Sequence, residues 1–315
     1  MSRPDRPVDK FGFPIPVTFH EPPAPRKGFR LPESPHSRRV IGILAGVVVI
    51  GILVAPWFVR KTRGIMAEMY RNRAHDQMIE GDLPGALENL DRAVAWRPGD
   101  MKLLHERAQV RLANHDLDGA LADANTVLAD SKKFTLGYLL RGTIHRRRGE
   151  NLEAIQDATE AVKNSQDRDP MPLNARAYFR ALANKDLNEA LVDIQNALKL
   201  KGDDPAYLDT RGYVFYKLDK PAEALADFDQ AIVSCEQTKK EKDERRKAFE
   251  SLGNQRFELE EFQKLEFDLK ALDENLAVMY HHRGETHEKL GNAQESKDDL
   301  EMAQKLGYDP DKGIE

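Results

Sequence analysis

RGYVFYKLDKPAEALADFDQAI, residues 211–232, holds two short helical patterns broken at Asp219-Lys220-Pro221. Gly212 and Ala224 stand where bulkier side chains would be expected on helices with an apolar face. The dipeptide Arg-Gly recurs at Arg141-Gly142 and Arg283-Gly284, so the copies lie 70 and 72 residues apart. Recurrence at a fixed spacing marks a repeat, and a period near half those values is the first one to test.

Alignment on the alanine that opens the second pattern recovers that period. Copies read MAEMYRNRAHDQMIEGDLPGALENLDRAVAWRPGD from residue 66, LLHERAQVRLANHDLDGALADANTVLA from 103 and YLLRGTIHRRRGENLEAIQDATEAV from 138. They continue as ARAYFRALANKDLNEALVDIQNALKL from 175, the opening stretch, and MYHHRGETHEKLGNAQESKDDLEMAQKLGYDP from 279. Starts near 67, 101, 135, 171, 205 and 277 give steps of 34, 34, 36, 34 and 72. The last step leaves room for a further copy, SLGNQRFELEEFQKLEFDLKALDEN from Ser251, unless the helices around 236–274 run long. Turn signals separate the two patterns of each copy, among them Gly81-Asp82, Gly149-Glu150-Asn151, Lys220-Pro221 and Gly291-Asn292.

The repeat resembles the tetratricopeptide repeat, a helix-turn-helix unit of 34 residues. The first small position is Ala74, Ala108, Gly142, Gly212, Gly253 and Gly284; the second is Ala86, Ala120, Ala154, Ala190, Ala224 and Ser296. A third, late in the second helix, is Ala93, Ala161, Ala197, Ala231 and Ala303. Tyr178 falls at the first small position of the fourth copy, and Leu265 replaces the second-helix alanine of the sixth. The resemblance covers residues 67 to about 308. It implies an all-α, right-handed superhelical solenoid of six or seven repeats over residues 67–310, in which small residues let helices pack closely. It also implies that the body binds a protein or peptide through the concave face of its first helices, with no catalysis and no cofactor of its own. The groove positions carried over are Arg71 and His75; His105, Gln109 and Leu112; Thr143, Arg146 and Arg147; Phe179 and Leu182; and Asp209, Tyr213, Tyr216 and Lys217. The lysine/asparagine set by which some members hold a terminal carboxylate is not evident.

Composition agrees with a solvated helical array, since 32% of residues are charged and 7% aromatic, and mean hydropathy is −0.63. Residues 66–315 carry 37 Lys/Arg against 49 Asp/Glu, a balance of −12 that argues against nucleic acid as partner. One segment departs from that average. VIGILAGVVVIGILVAPWFV, residues 40–59, has no charge and is long enough as a helix to cross a hydrocarbon core. It predicts a single transmembrane helix, with residues 60–66 as connector. Gly42 and Gly46 form a G-x-x-x-G that could bring two such helices into a homodimer. Before it, residues 1–39 hold nine prolines and predict a disordered arm. The arm, with eight basic residues, is expected in the cytoplasm and the repeats outside it, with residues 311–315 as a tail. A structural role bracing an oligomer and an enzyme with an unrecognised site are the two rivals to partner binding.

Chemical motifs are scarce. No P-loop, dinucleotide-binding glycine pattern, serine-hydrolase elbow or H-E-x-x-H occurs. In His281-His282-Arg283-Gly284-Glu285-Thr286-His287 the spacing does not put three ligands on one helix face, so these read as solvated residues and no metal is expected. Arg146-Arg147-Arg148 reads as a basic patch or a solvated helix end, and the lone Cys235 as a small buried hydrophobe.

Overall fold

The computed structural model describes residues 35–166, 168–252 and 259–308, apart from some side chains at 35–51, 251–252 and 259–260. The arm before residue 35, the tail and Gly253 therefore lie outside the described residues. Two units divide at Arg60/Lys61. Among the described residues every element is a helix: α1 (Pro35–Glu80), α2 (Leu83–Trp96), α3 (Met101–Ala113), α4 (Leu117–Asp130), α5 (Thr135–Arg147), α6 (Asn151–Ser165), α7 (Pro170–Leu182), α8 (Leu187–Lys201), α9 (Pro205–Lys217), α10 (Pro221–Leu252), α11 (Leu259–Leu290) and α12 (Ala293–Lys305).

The boundaries follow from local chemistry. Asp82, Asp100, Asp116, Asp169 and Asp204 are N-caps whose carboxylates accept from backbone N–H groups of the first turn. Pro170 and Pro205 then occupy the first helical position, where no intrahelical donor is lost. Between the two helices of each pair the chain passes through the left-handed region. Gly81, Gly149 and Gly291 do so at φ near 80°, at no steric cost, while His115 and Asp219 do so with side chains.

Successive pairs stack, α1/α2 through α11/α12, and within each pair the small residues are the contact. Ala86, Ala120, Ala154, Ala190 and Ala224 have no exposed surface. A methyl group there lets two backbones approach closely, and anything larger would meet a packed interior. First helices also touch across repeats, α3 with α5, α5 with α7, α7 with α9 and α9 with α11, whereas second helices do not meet each other to that degree. Contact on one side only makes the stack curve, with the first helices on the inside.

Each pair from the second onward carries an ionic clamp. Arg107, Arg141, Arg176, Arg211 and Arg283, on first helices, each donate two hydrogen bonds at 2.6–2.8 Å to both oxygens of Asp123, Asp157, Asp193, Asp227 and Asp299. The aspartates are buried, so the bidentate fork supplies the partners that make their burial tolerable. In the first pair Asn89 stands where the others have aspartate, and its amide donates to Gln77 instead.

Two sequence expectations are revised here. Arg176 and Asp193 lie 17 residues apart where the other four pairs lie 16 apart. The fourth turn has one extra residue, accommodated by positive φ at both Asn184 and Asp186. Ala177, fully buried, therefore holds the first small position of that copy, and Tyr178 does not. In the second, of the two alternatives left open for 236–274, the helices run long. α10 and α11 have 32 residues each and are joined along their extensions by Lys239–Asp273, Lys242–Asp268 and Arg246–Glu266.

Among the described residues no helix is long and apolar enough to cross a membrane. This overturns the single-pass localisation expected for residues 40–59, and with it the assignment of arm and repeats to opposite sides. The expectation took the uncharged run as an element of its own. It is instead part of the 46-residue α1, which carries Arg60, Lys61 and Arg63 and continues to Glu80.

Candidate functional site

Residues of α5, α7, α9 and α11 line an open cavity of about 230 Å³. Its polar lining comprises Thr143 and Arg146 from α5, Asn174 and Tyr178 from α7, and Asp209 and Thr210 from α9. Asn275, Val278 and Met279 of α11 complete it. The corrected register explains why α7 contributes as it does: with Ala177 at the small position, Asn174 and Tyr178 take the inward places expected of later residues in that helix. Sequence reading missed both, because it assumed turns of equal length. The signal that would have exposed the error is the Arg/Asp column, which breaks step by one residue in this copy only.

Most polar side chains around the cavity are already engaged. The Thr143 hydroxyl donates to the Leu139 carbonyl at 3.0 Å. Asp209 accepts from Nδ1 of His282 at 3.0 Å, a bond between α9 and α11 that is closed to solvent. Two atoms differ. Asn174 Oδ1 and the Tyr178 hydroxyl are shielded from solvent and have no hydrogen-bond partner. Burial pushes the Tyr178 hydroxyl well above the ordinary tyrosine range despite the nearby charge of Arg146, so it is a proton donor at neutral pH.

Tyr213 and Tyr216 are packed more tightly than an open groove would require. Tyr213 is 8% exposed and stacks on His282 with centroids 4.4 Å apart. Tyr216 stacks on Tyr213 at 6.1 Å. Lys217 places its ammonium 4.9 and 5.5 Å from the two rings, in cation–π range. Phe179 is buried and its ring abuts Gly142 of the preceding copy; Leu182 packs against the core that holds Tyr213. Leu112 is buried as well.

The other expected groove residues are spread along the array. Arg71 is held by Glu106 and Glu68 at 2.7 Å each, and those hydrogen bonds raise its pKa. His105 meets Phe134 edge-on at 5.3 Å, and burial lowers its pKa. His75 and Gln109 are exposed. Arg147 donates to the Leu112 carbonyl at 3.3 Å. The structure thus brings Thr143, Arg146, Phe179 and Asp209 to one cavity, with Tyr213 and Tyr216 beside it, and leaves the residues of the first two copies outside it.

The histidine run is not solvated. His282 is buried, His281 stacks on Tyr308 at 4.0 Å and lies 3.5 Å from Glu285, and His287 approaches Asn292 at 3.2 Å. Among the described residues no group of three or more His, Cys, Asp and Glu side chains is placed to hold a metal ion. Cys235 is buried, and burial pushes its thiol up to about 11.

No protein-family model matches the sequence, and no curated protein sequence is similar to it. Solved structures are similar. A chain of the APC/C hetero-tetramer Cut9–Hcn1 superposes with a TM-score of 0.53 at 15% identity, over 72% of this chain and 39% of that one. A tetratricopeptide repeat protein from Parabacteroides merdae gives 0.49 at 16% identity, over 78% and 94%. TTC0263, a tetratricopeptide repeat protein of Thermus thermophilus, gives 0.46 at 20%, over 53% and 90%. The chain has a tetratricopeptide-repeat-like fold. The comparisons lend no support to the homodimer expected through Gly42 and Gly46.

Proposed function

We propose that the chain is a non-enzymatic scaffold that binds a segment of a partner protein along the concave surface formed by its first helices. One observation carries this reading: of the described buried side-chain atoms that lack a hydrogen-bond partner, Asn174 Oδ1 and the Tyr178 hydroxyl are the two whose residues line a cavity on that surface. Buried polar atoms without hydrogen bonds cost about 1–3 kcal/mol each, and native structures keep few of them. A bound segment would supply the missing bonds. Arg146 adds positive charge to a body that is acidic elsewhere, so a segment with some acidic character suits the site.

The test is to immobilise the full chain, capture a partner, and repeat the capture with Arg146→Glu plus Arg147→Glu and with Tyr213→Ala plus Tyr216→Ala, each checked by thermal melt. Loss of capture by the folded arginine variant supports the concave surface. Unchanged capture by both folded variants means that the partner uses the convex helices or the proline-rich arm.

A further inference from the structure

The cavity between α5, α7, α9 and α11 has a more specific chemistry than a general groove. We propose that it grips one residue of an extended partner segment by its main chain, Asn174 accepting that residue's N–H and Tyr178 donating to its carbonyl. This rests on the scaffold reading above and adds to it the group that is recognised.

Spacing is the first argument. Asn174 and Tyr178 are four residues apart on α7, so their side chains rise from one face of the helix, roughly 5–6 Å apart at Cβ. An extended chain presents the N–H and C=O of the same residue along one edge, at alternate positions. A single residue can therefore engage both side chains at once. The polarities also match, because Oδ1 can only accept and a protonated hydroxyl can donate.

Size and charge narrow the occupant further. At about 230 Å³ the cavity is below the roughly 300–1,000 Å³ typical of small-molecule and cofactor sites. One residue fits that scale better than a cofactor. Ala175, Phe179, Ala206, Val278 and Met279 form its apolar lining, which suits a small apolar side chain on the gripped residue. Asp209 also lines the cavity, and its charge disfavours a terminal carboxylate relative to a neutral peptide group. Arg146, on the α5 side of the cavity, is placed for an acidic neighbour in the segment.

A bead library of hexapeptides, half amidated and half with free C-termini, screened against the full chain tests this. Binders are then resynthesised with each backbone nitrogen methylated in turn and measured by fluorescence anisotropy. The expected result is selection of amidated members and a loss of about tenfold on methylation at one position. Tyr178→Phe and Asn174→Ala should weaken the parent peptide by a similar factor, and Asn174→Ala should bind the methylated and parent peptides alike. Tolerance of methylation at every position overturns the main-chain grip while leaving the scaffold reading intact. So does unchanged binding by both variants after melts show them folded. Selection of free C-termini, lost in Arg146→Gln, replaces the grip with a terminus clamp. A library from which nothing is retained overturns the grip and the scaffold reading together. Should either variant fail to fold, methylated peptides on the unaltered chain still decide the matter.

Discussion

Gly212 faces the ring of Phe228, and substitution there sets two effects against each other. Alanine gains up to about 1 kcal/mol of helix propensity over glycine. Its Cβ, however, would lie 2.7–3.0 Å from three ring carbons of a fully buried side chain, and overpacking of that kind costs about 1–3 kcal/mol. Because the ring is enclosed and cannot swing away, Gly212→Ala should destabilise by about 1–2 kcal/mol in urea unfolding. Gly64 is the contrast: a Cβ there meets nothing, so Gly64→Ala should be neutral or stabilising. The clamps make a second prediction at this scale. Asp227→Ala would leave Arg211 without its fork, and since that side chain is 28% exposed the penalty should fall below the 3–5 kcal/mol of a fully buried pair, at about 2 kcal/mol. Tyr213 adds a pH dependence. Burial, with the charges of Glu285 and Asp209, pushes its hydroxyl up to about 12, against roughly 10 in an unfolded chain. A folded value above the unfolded one means that stability is intact below about pH 10 and declines as pH rises towards 12. Urea melts across that window should fall less steeply for Tyr213→Phe than for the parent; equal slopes would remove Tyr213 from the account.

At the scale of elements, the far end of the array should differ from its middle. The extensions of α10 and α11 are held mainly by ion pairs with partly exposed partners, such as Lys239–Asp273 and Lys242–Asp268, and exposed pairs contribute little. Amides at 240–250 and 261–270 should therefore exchange hydrogen faster than those of α9, whose Leu208 and Val214 are fully buried. Equal protection would show that the extensions are part of the main cooperative unit. This region also marks a limit of the sequence. The repeat was legible because alanines and glycines recur in step, and close packing leaves no alternative to small residues there. That α10 and α11 run long is not legible in the charged run 238–247 by itself, because the acidic residues on α11 that pair with it lie 16–34 residues further on. The fourth turn was illegible for another reason. Lys185-Asp186 signals a turn without giving its length, and one extra residue shifted the register of α7 by one, so that Tyr178 takes the inward place expected of Phe179 and Asn174 joins it one turn earlier. The run at 40–59 misled because its hydropathy was read without the rest of α1.

Across the whole molecule, repeats that contact mainly their neighbours make stability roughly a sum of local terms, yet the cavity joins the third, fourth, fifth and last pairs. The bond between Asp209 and His282 ties the fifth pair to the last. Truncation before α12 exposes Gly284 and removes Asp299, the clamp partner of Arg283, so it should loosen α11 and reduce protection around the cavity, far from the cut, as well as at the end itself. The central claim is that partners bind the concave side. Hydrogen exchange of the full chain with and without a captured peptide tests it most directly: the account predicts new protection on α5, α7, α9 and α11, centred on residues 174–178, with α4, α6 and α8 unchanged. Protection confined to α4, α6 and α8, or found only before residue 61, would contradict it.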